Sequence, residues 1–481
     1  MGLAYRIVGT EGVARPVLPV ALTGKRVHPA QDPARVPSPV RERDRVRGAT
    51  SPEDPGPSPQ PSPARERGRV AAFTGQSVNL RPYVRRGIRQ RFALLAAALV
   101  PLLLIPPKAQ AAAEPPLSAL TLVGPPAIVF KAGRDACDGA DVPDAPARAF
   151  RDAAGAVALF GMHYRNRALR GPDLDHLKLD CAVVLDSGEK PDPASYDDRS
   201  WITATWTEDG RHVAALLHHE YQANEHPGRC PAGSYMACWY NTITAAASAD
   251  GGRSFARRNP PVVVAGAPFR QEVDQGRHRG FFNPSNIVAE GRWRYVLVST
   301  TGWDRPGSDQ AAGLCLFRSD DPADPARWRA WTGTGFTAAF PDPYRKPVPP
   351  AATCRPVGPF PGPVGAVVRH RATGAWIAVF MAKAGDGFAR SGFYWSSSRD
   401  LITWDTPRLL LEGATLYDDP CKATAPLIAY PSLLDPAAQG RNFDDVGDRA
   451  LLTYASLRVE GCTITSDRDL LRRPVAIRVW P

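Results

Sequence analysis

From about residue 140 to the end, the chain alternates short apolar stretches with turns rich in Gly, Asp, Ser and Asn. Many stretches come in pairs across a short turn, as in the run 201–217, which is interrupted by Glu-Asp-Gly-Arg, and this is a hairpin pattern. No amphipathic helical run of 12 or more residues competes with it. The pattern therefore predicts an all-β domain.

The paired stretches recur with a period of about 60 to 80 residues, which is typical of blades arranged around an axis. Five units are predicted, with strands at 157–162 and 181–185; at 201–206, 213–217 and 242–248; at 285–288, 293–298 and 313–317; at 365–369, 375–380 and 392–395; and at 428–434, 450–454 and 474–480. We expect a five-bladed β-propeller over residues 145–481, preceded by an extended segment at 114–144.

A polar segment that ends on an aromatic residue marks several of these units. Its clearest form is Ser-Ala-Asp-Gly-Gly-Arg-Ser-Phe at 248–255, with variants at 397–404 and 318–328. The first resembles the Asp box of sialidase-type propellers. The second resembles the equivalent turn in five-bladed arabinanase, xylosidase and invertase-like glycoside hydrolases. This resemblance implies that Ser and Asp bind turn amides, Gly supplies an unusual dihedral and the aromatic residue plugs the blade. It implies a fold and little about chemistry.

Charge separates the first 113 residues from the rest. They contain 18 Lys+Arg and 7 Asp+Glu, so the remaining 368 residues have 41 of each sign and the whole-chain excess of +11 belongs to the leader. The domain after the leader therefore lacks the basic excess that nucleic-acid binding needs.

The leader has two parts. Residues 1–80 are rich in Pro and Arg and cannot bury a core, which indicates either a disordered segment or an over-extended start. Residues 81–113 have five arginines before a 14-residue apolar run and then small residues, the pattern of a signal peptide. We expect a secreted or periplasmic protein with no stable membrane span after cleavage; an uncleaved anchor is the alternative.

All eight cysteines follow the predicted cleavage point, and an even number in an oxidising compartment indicates disulfides. Cys230 with Cys238, which bracket a short loop, and Cys421 with Cys462 are the predicted pairs. Other pairings stay open. The sequence has no Cys-x-x-Cys ligand pair, so a zinc site is not expected.

Candidate site residues follow from blade geometry, because the start of an inner strand and the end of the second strand lie on one face. On this reasoning the candidate catalytic residues are Asp152, Asp198 and Glu220, and the candidate substrate-binding residues are Arg151, His163, His218, Trp239, Asn283, Asn286, Lys383, Tyr430 and Arg458. No cofactor is expected.

Glycoside hydrolysis needs a protonated carboxyl group and an ionised carboxylate. Glu220 is the predicted acid, with its pKa raised by burial beside Trp239 or Tyr240, and Asp152 or Asp198 is the predicted base or nucleophile. The alternative is that such an Asp holds an Arg side chain or a loop amide. His218 and His219 are neighbours and face opposite ways on a strand, which argues against a shared metal ion. The sequence has no Gly-x-Ser-x-Gly elbow, which argues against a serine hydrolase.

Aromatic residues near the predicted funnel could stack on sugars or pack between blades; they are Tyr164, Trp239, Tyr240, Trp303, Phe281 and Phe282. Lys383, Arg151 and Arg458 suggest an anionic ligand group, or neutralise nearby acids. We therefore expect a carbohydrate-active propeller. If the protein is an enzyme, we expect it to be a glycoside hydrolase. The rival expectation is a non-catalytic propeller that binds glycan or protein, and a third is a metal-dependent lyase or hydrolase. The oligomeric state is not predicted.

Overall fold

The computed structural model describes residues 117–231, 235–260, 262–270, 277–304, 309–340, 342–345 and 353–479. The predicted leader, signal peptide and anchor alternative lie outside these ranges. Within the ranges the fold is all-β, as predicted, and helices are one turn long. No helix in this part of the chain is long and apolar enough to cross a membrane. The helices are α1 (Ala132–Asp135) and five 3-10 turns, Pro193–Ser195, Ala223–Glu225, Met236–Cys238, Pro325–Arg327 and Pro420–Lys422.

The described strands form four sheets, the largest of eleven strands. That sheet has two parts with separate antiparallel ladders, so the strands make five mainly antiparallel units in all. The first contains β3 (Pro143–Arg151), β4 (Val157–Met162), β5 (Leu169–Gly171) and β6 (Lys178–Leu179). The second contains β7 (Arg199–Thr207), β8 (Val213–Gln222), β9 (Trp239–Ser248), β10 (Ala256–Arg257) and β11 (Val263–Ala265). The third contains β12 (Arg279–Phe282), β13 (Val288–Glu290), β14 (Trp293–Thr300), β15 (Gly313–Ser319), β16 (Arg329–Trp331) and β17 (Phe336–Ala338).

The fourth unit contains β18 (Val364–His370), β19 (Trp376–Ala382), β20 (Gly392–Ser398) and β21 (Arg408–Glu412), with β23 (Asp445–Val446) parallel to β18. The fifth contains β22 (Leu427–Leu434), β24 (Arg449–Glu460) and β25 (Thr463–Val479), and two N-terminal strands join it, β1 (Leu117–Leu122) and β2 (Ala127–Lys131). Both N-terminal strands pair antiparallel with β25. The two ends of the described chain therefore share one sheet.

One predicted strand, 285–288, overlaps the observed β13 only at Val288, and a second is absent. Residues 181–185 form no strand, and the outer strands of the first unit are β5 and β6, which come earlier in the chain. The N–H of Val184 donates to the carbonyl of Asn166, and the carbonyl of Val184 accepts from Phe255. Val184 therefore makes one backbone hydrogen bond to each of two different segments, and not the repeated hydrogen bonds of a strand pair. The reason is that residues 181–185 fill the space between the first and second units.

The units follow one another in a closed circuit. Strand β3 contacts β7 and β22, β22 contacts β18, and β18 contacts β13 and β14. Strand β12 pairs with both β9 and β14, which joins the second and third units. Each unit therefore packs against the next, and the last unit packs against the first.

Arg148, on β3, connects these units through its guanidinium group. It is 2% exposed and donates to the carbonyls of Thr203 at 2.6 Å, Gly365 at 2.6 Å and Pro284 at 3.0 Å, in addition to that of Ala147 next to it. The three distant carbonyls come from the second, fourth and third units. Burial lowers the pKa of Arg148 to about 9, so the group is still charged at neutral pH.

The fifth unit is joined to the same place by a hydroxyl group. Ser432 Oγ, on β22, donates to the carbonyl of Ala147 at 2.9 Å. The polar groups around Arg148 therefore connect all five units at the centre of the circuit, and the positive charge is stabilised by carbonyl dipoles.

Two polar turns have the hydrogen bonds that their sequences predict. Ser248 Oγ accepts the N–H of Gly252, and Asp250 Oδ1 accepts the N–H groups of Arg253 and Ser254. Desolvation opposes ionisation, but the hydroxyls of Ser254 and Ser248 and these amides lower the pKa of Asp250 to about 2. In the second turn, Asp400 Oδ1 accepts the N–H groups of Ile402 and Thr403. Phe255 and Trp404, the closing aromatic residues, are buried.

The eight cysteines form four disulfides. Cys230–Cys238 and Cys421–Cys462 match the predicted pairs, and the others are Cys137–Cys181 and Cys315–Cys354. The Cys421–Cys462 bond fixes the tip of the β24–β25 hairpin to the turn Pro420–Lys422.

We predict that Arg148→Met destabilises the fold by about 3 kcal/mol or more, because several buried carbonyls then lose their donor. Chemical denaturation measures this change in the free energy of unfolding. Arg211→Met is the matched control, since Arg211 is exposed and donates through Nε to one carbonyl, that of Ala249. An equal effect in both variants would contradict the role of Arg148 at the centre.

Candidate functional site

Strand direction decides which predicted residues can meet. Asp144 near the start of β3, His163 after β4, Arg199 at the start of β7 and Glu220 near the end of β8 lie at one end of their strands. The β3–β4 and β7–β8 hairpins lie at the other end, and a Cβ atom on Gly210 would meet the backbone of Asp152. Seven residues of β8 separate Val213 from Glu220, which corresponds to about 23 Å.

Asp152 and Arg151 therefore do not join Glu220, and their assignment to the site was wrong. Asp152 Oδ1 accepts the N–H groups of Ala154 and Ala156, both at 2.9 Å, and so shapes the hairpin. Arg151 donates to the carbonyl of Gly440 at 2.7 Å and covers the ring of Phe443. The reason is geometric. The prediction selects residues at the start of the inner strand of each unit, whereas Arg151 and Asp152 lie at the end of β3.

The polar side chains at the opposite end form a group that we call the Glu220 cluster: Asp144, His163, His218, Glu220, Asn241 and His278. Glu220 Oε1 lies 3.0 Å from His218 Nε2, and Oε2 accepts from Gln222 Nε2 at 2.8 Å. The Glu220 side chain is 12% exposed. The register of β8 with β9 places Asn241 opposite Glu220, so that both side chains lie on one face of the sheet.

The backbone fixes the tautomer of His218. The N–H of Asn283 donates to His218 Nδ1 at 2.9 Å, so the ring proton of the neutral imidazole is on Nε2 and points to Glu220. Asn283, a predicted binding residue, thus acts here through its backbone, in a left-handed conformation with φ of 46°. As strand alternation predicts, His219 faces the other way and contacts Tyr196.

Glu220 is ionised more readily than a free carboxyl group. Burial opposes ionisation, but hydrogen bonds from His218 and Gln222 and the nearby His278 lower the pKa of Glu220 below its ordinary value. The prediction that burial raises this pKa and makes Glu220 a proton donor was wrong in direction. Sequence alone indicated the burial but not the donors that outweigh it.

The other histidines of the cluster are kept neutral by burial. His278 stacks on Trp239 with ring centroids 3.9 Å apart, and desolvation lowers the pKa of His278 to about 3. Desolvation also lowers the pKa of His163, although Asp144 acts in the opposite direction. The Asn241 side chain contacts both His218 and His278.

Asp144 is the second carboxylate of the cluster, and sequence reasoning missed it. It accepts from Arg468 Nη1 at 2.5 Å and from the hydroxyl of Tyr430 at 3.2 Å, and lies 3.9 Å from His163 Nε2. Burial raises the pKa of Tyr235, and the charges of Glu220 and Asp144 add to this shift, so both carboxylates lie near this phenol. Asp144 could have been found by applying the strand-start rule to the beginning of β3.

An aromatic wall connects the two carboxylates. The ring of Trp201 meets His163 at 5.8 Å and His218 at 5.5 Å, in both cases edge to face. Tyr164 packs against His163 and Trp201. Tyr235 stacks on Trp239 on the other side. By contrast, Tyr240, Phe281 and Trp303 are core residues, as the packing alternative predicts.

Asp198 does not point into the cluster. Its Oδ2 accepts the N–H of Gln222 at 2.8 Å and lies 3.1 Å from His226 Nε2, while burial raises its pKa. Asp198 precedes Arg199, which faces Glu220 across the strand pair, so its side chain lies on the opposite face. Asp198 therefore fits the alternative stated for the candidate aspartates, in which the carboxylate binds a backbone amide instead of a ligand.

The remaining predicted residues are distributed as follows. Tyr430 and Trp239 contact the cluster, as described above. Asn286 makes two hydrogen bonds with the backbone of Val367 and so joins the third unit to the fourth. Arg458 is 61% exposed and pairs with Asp467. Lys383 follows β19 and begins a turn, with its carbonyl accepting the N–H of Asp386.

Arg199 and Gln222 were not predicted. Arg199 donates to Gln222 Oε1 at 2.7 Å and pairs with Glu225. Gln222 in turn donates to Glu220, so one amide connects the arginine to the buried carboxylate. Within the described ranges no group of three or more His, Cys, Asp or Glu side chains could hold a metal ion.

No protein-family model matches the chain, and no curated protein matches it. Several solved structures are similar at low identity. The GH62 alpha-L-arabinofuranosidase catalytic domain of Coprinopsis cinerea is 9% identical, with 74% of this chain and 97% of that chain covered and a TM-score of 0.38. The alpha-L-arabinanase of Cellvibrio cellulosa is 12% identical, with 69% and 90% covered and a TM-score of 0.38. A protein of unknown function from Dyadobacter fermentans is 11% identical, with 75% and 100% covered and a TM-score of 0.39. With TM-scores below 0.5, these likenesses carry no argument about the chain.

We predict that Glu220→Gln destabilises the protein at pH 7 by about 1 to 2 kcal/mol, because the His218 and Gln222 donors then meet a weaker acceptor. A carboxyl group with a lowered pKa stabilises the fold above its ordinary value of 4.5, and this contribution is lost as pH falls through the folded value. Denaturation at pH 7 and at pH 3.5 should therefore show a smaller difference from the wild type at the lower pH.

Glu460→Gln is the control, since Glu460 is exposed near the tip of the β24–β25 hairpin. A Glu220→Gln difference that grows on acidification would contradict the assigned direction of the pKa.

Proposed function

We propose that the protein is an exported, five-bladed β-propeller that acts on or binds carbohydrate through the Glu220 cluster. The observation that carries this proposal is the approach of two carboxylates from different units, Asp144 and Glu220, to one group of histidines and aromatic rings. The closed circuit of five sheet units supports the propeller. The Ser and Asp turns support the resemblance to an Asp box. Four disulfides support export.

The proposed reaction is glycoside hydrolysis by this pair of carboxyl groups. Glu220, with its lowered pKa, acts as the ionised partner, as base or as nucleophile. Asp144 takes the role of the second carboxyl group, in place of Asp152. The neutral Nε2–H of His218 orients the Glu220 carboxylate, so that the oxygen lone pairs are directed rather than free to rotate.

The aromatic rings of the cluster support a sugar ligand. Trp239 is stacked between Tyr235 and His278, so the partly exposed rings of Tyr235 and Tyr164 are the ones proposed to meet a sugar. The flat apolar faces of sugars pack well on such rings, while neighbouring amides and carboxylates accept from the hydroxyl groups.

A non-catalytic glycan-binding propeller is the second candidate function. It is favoured by the ion pair of Asp144 with Arg468, which engages one of the two carboxylates. A carboxylate held by an arginine accepts hydrogen bonds well but donates a proton poorly. The same cluster would then hold a glycan without cleaving it.

We predict that Asp144→Asn and Glu220→Gln each reduce hydrolysis by at least about 100-fold if the pair is catalytic, as expected for loss of a catalytic acid or base. Purified protein is screened against a glycan array and chromogenic glycosides. Asp152→Asn, which alters the hairpin at the other end of β3, should retain wild-type turnover. Glycan binding without turnover would identify the binding protein, and turnover unchanged in both cluster variants would remove the catalytic assignment.

A further inference from the structure

We propose that the Glu220 cluster selects its sugar by charge: it accepts neutral or cationic sugars and rejects those that bear a carboxylate or sulfate. The inference rests on the proposed function and names the class of ligand at that site. It opposes the expectation from sequence that Lys383, Arg151 and Arg458 recognise an anionic group.

The first step is the charge of Glu220 itself. Its carboxylate is nearly buried, and within the described ranges no Lys or Arg side chain forms an ion pair with it. Its partners are His218 and the amide of Gln222. His218 accepts an amide proton at Nδ1 and contacts Glu220 through Nε2, so the carboxylate is held here by a hydrogen bond from one ring nitrogen.

The second step is the engagement of the nearby cations. Arg199 donates to Glu225 and Gln222, and its guanidinium covers the ring of Tyr164. Arg468 pairs with Asp144. Arg277, next to His278, is exposed and donates to the carbonyl of Thr301. Of the two carboxylates of the cluster, Asp144 therefore has an arginine partner, whereas Glu220 has none among the described residues.

The third step is that the remaining histidines do not supply a positive charge. His278 is stacked on Trp239 and in contact with Asn241, and His163 is packed against Trp201 and Tyr164. Both rings are surrounded by aromatic and amide groups that solvate an imidazolium ion poorly.

Two of the predicted anion-binding residues, Arg151 and Arg458, lie outside the cluster. Arg151 is at the hairpin end of β3, beside Gly440 and Phe443. Arg458 points to solvent and pairs with Asp467. An anionic sugar would therefore meet the charge of Glu220 in a low-dielectric site, where no described Lys or Arg side chain pairs with that carboxylate. Repulsion between like charges in such a site reduces affinity by about tenfold or more.

The test compares two forms of one ligand. The glycan that the array identifies is prepared with a carboxylate substituent and with the methyl ester of that carboxylate, which have nearly the same shape and differ in charge. Calorimetry on the full chain should show that the ester binds at least about tenfold more tightly than the acid. In Glu220→Gln this ratio should fall at least about threefold, because the repulsive charge is removed while the shape is kept.

Asp209→Asn is the matched control. It removes the same charge from the hairpin that precedes β8, where Asp209 is half exposed and far from the cluster, and it should leave the ratio at the wild-type value. Equal binding of acid and ester by the wild type overturns the inference, and so does a ratio that Glu220→Gln leaves unchanged. If Glu220→Gln does not fold, the wild-type ratio decides. Absence of binding to every glycan on the array overturns the proposed function itself, and the inference with it.

Discussion

The arrangement of this protein depends on the buried positive charge of Arg148, which forms no ion pair with any carboxylate that the structure describes. Arg148 donates to carbonyl groups of three other units, and Ser432 of the fifth unit completes the set. A guanidinium group suits this position because its donors point in several directions within one plane, so that one side chain satisfies carbonyls from different strands. The same strand, β3, places Asp144 near its start, before Arg148, so the central constraint also fixes one half of the candidate site.

Neutral groups control the chemistry of the site. Burial alone would make Glu220 harder to ionise, yet directed N–H donors outweigh it and lower the pKa of this carboxyl group. The donors are themselves held in place: the backbone of Asn283 fixes His218, and Arg199 fixes Gln222. A carboxylate with fixed lone pairs, and with no Lys or Arg partner among the described residues, can accept hydrogen bonds without competition from an ion pair.

Much of the fold was predictable because strand alternation and hairpin turns are local. The predicted strands at 201–206, 213–217 and 242–248 lie within β7, β8 and β9. The stretch 181–185 was not predictable as a loop, since its apolar residues look like a strand but fill a gap between units. The fifth unit was predicted without β1 and β2, because pairing between residues more than 300 positions apart has no local signal.

The sequence by itself determined the all-β class, two disulfide pairs and the opposed directions of His218 and His219. These depend on spacing along one strand or one loop. Tertiary structure decided which carboxylates meet: it separated Asp152 and Asp198 from Glu220 and brought in Asp144, Asn241 and His278. It also decided the sign of the Glu220 pKa shift, because that sign depends on donors contributed by other strands, whose positions no local pattern encodes.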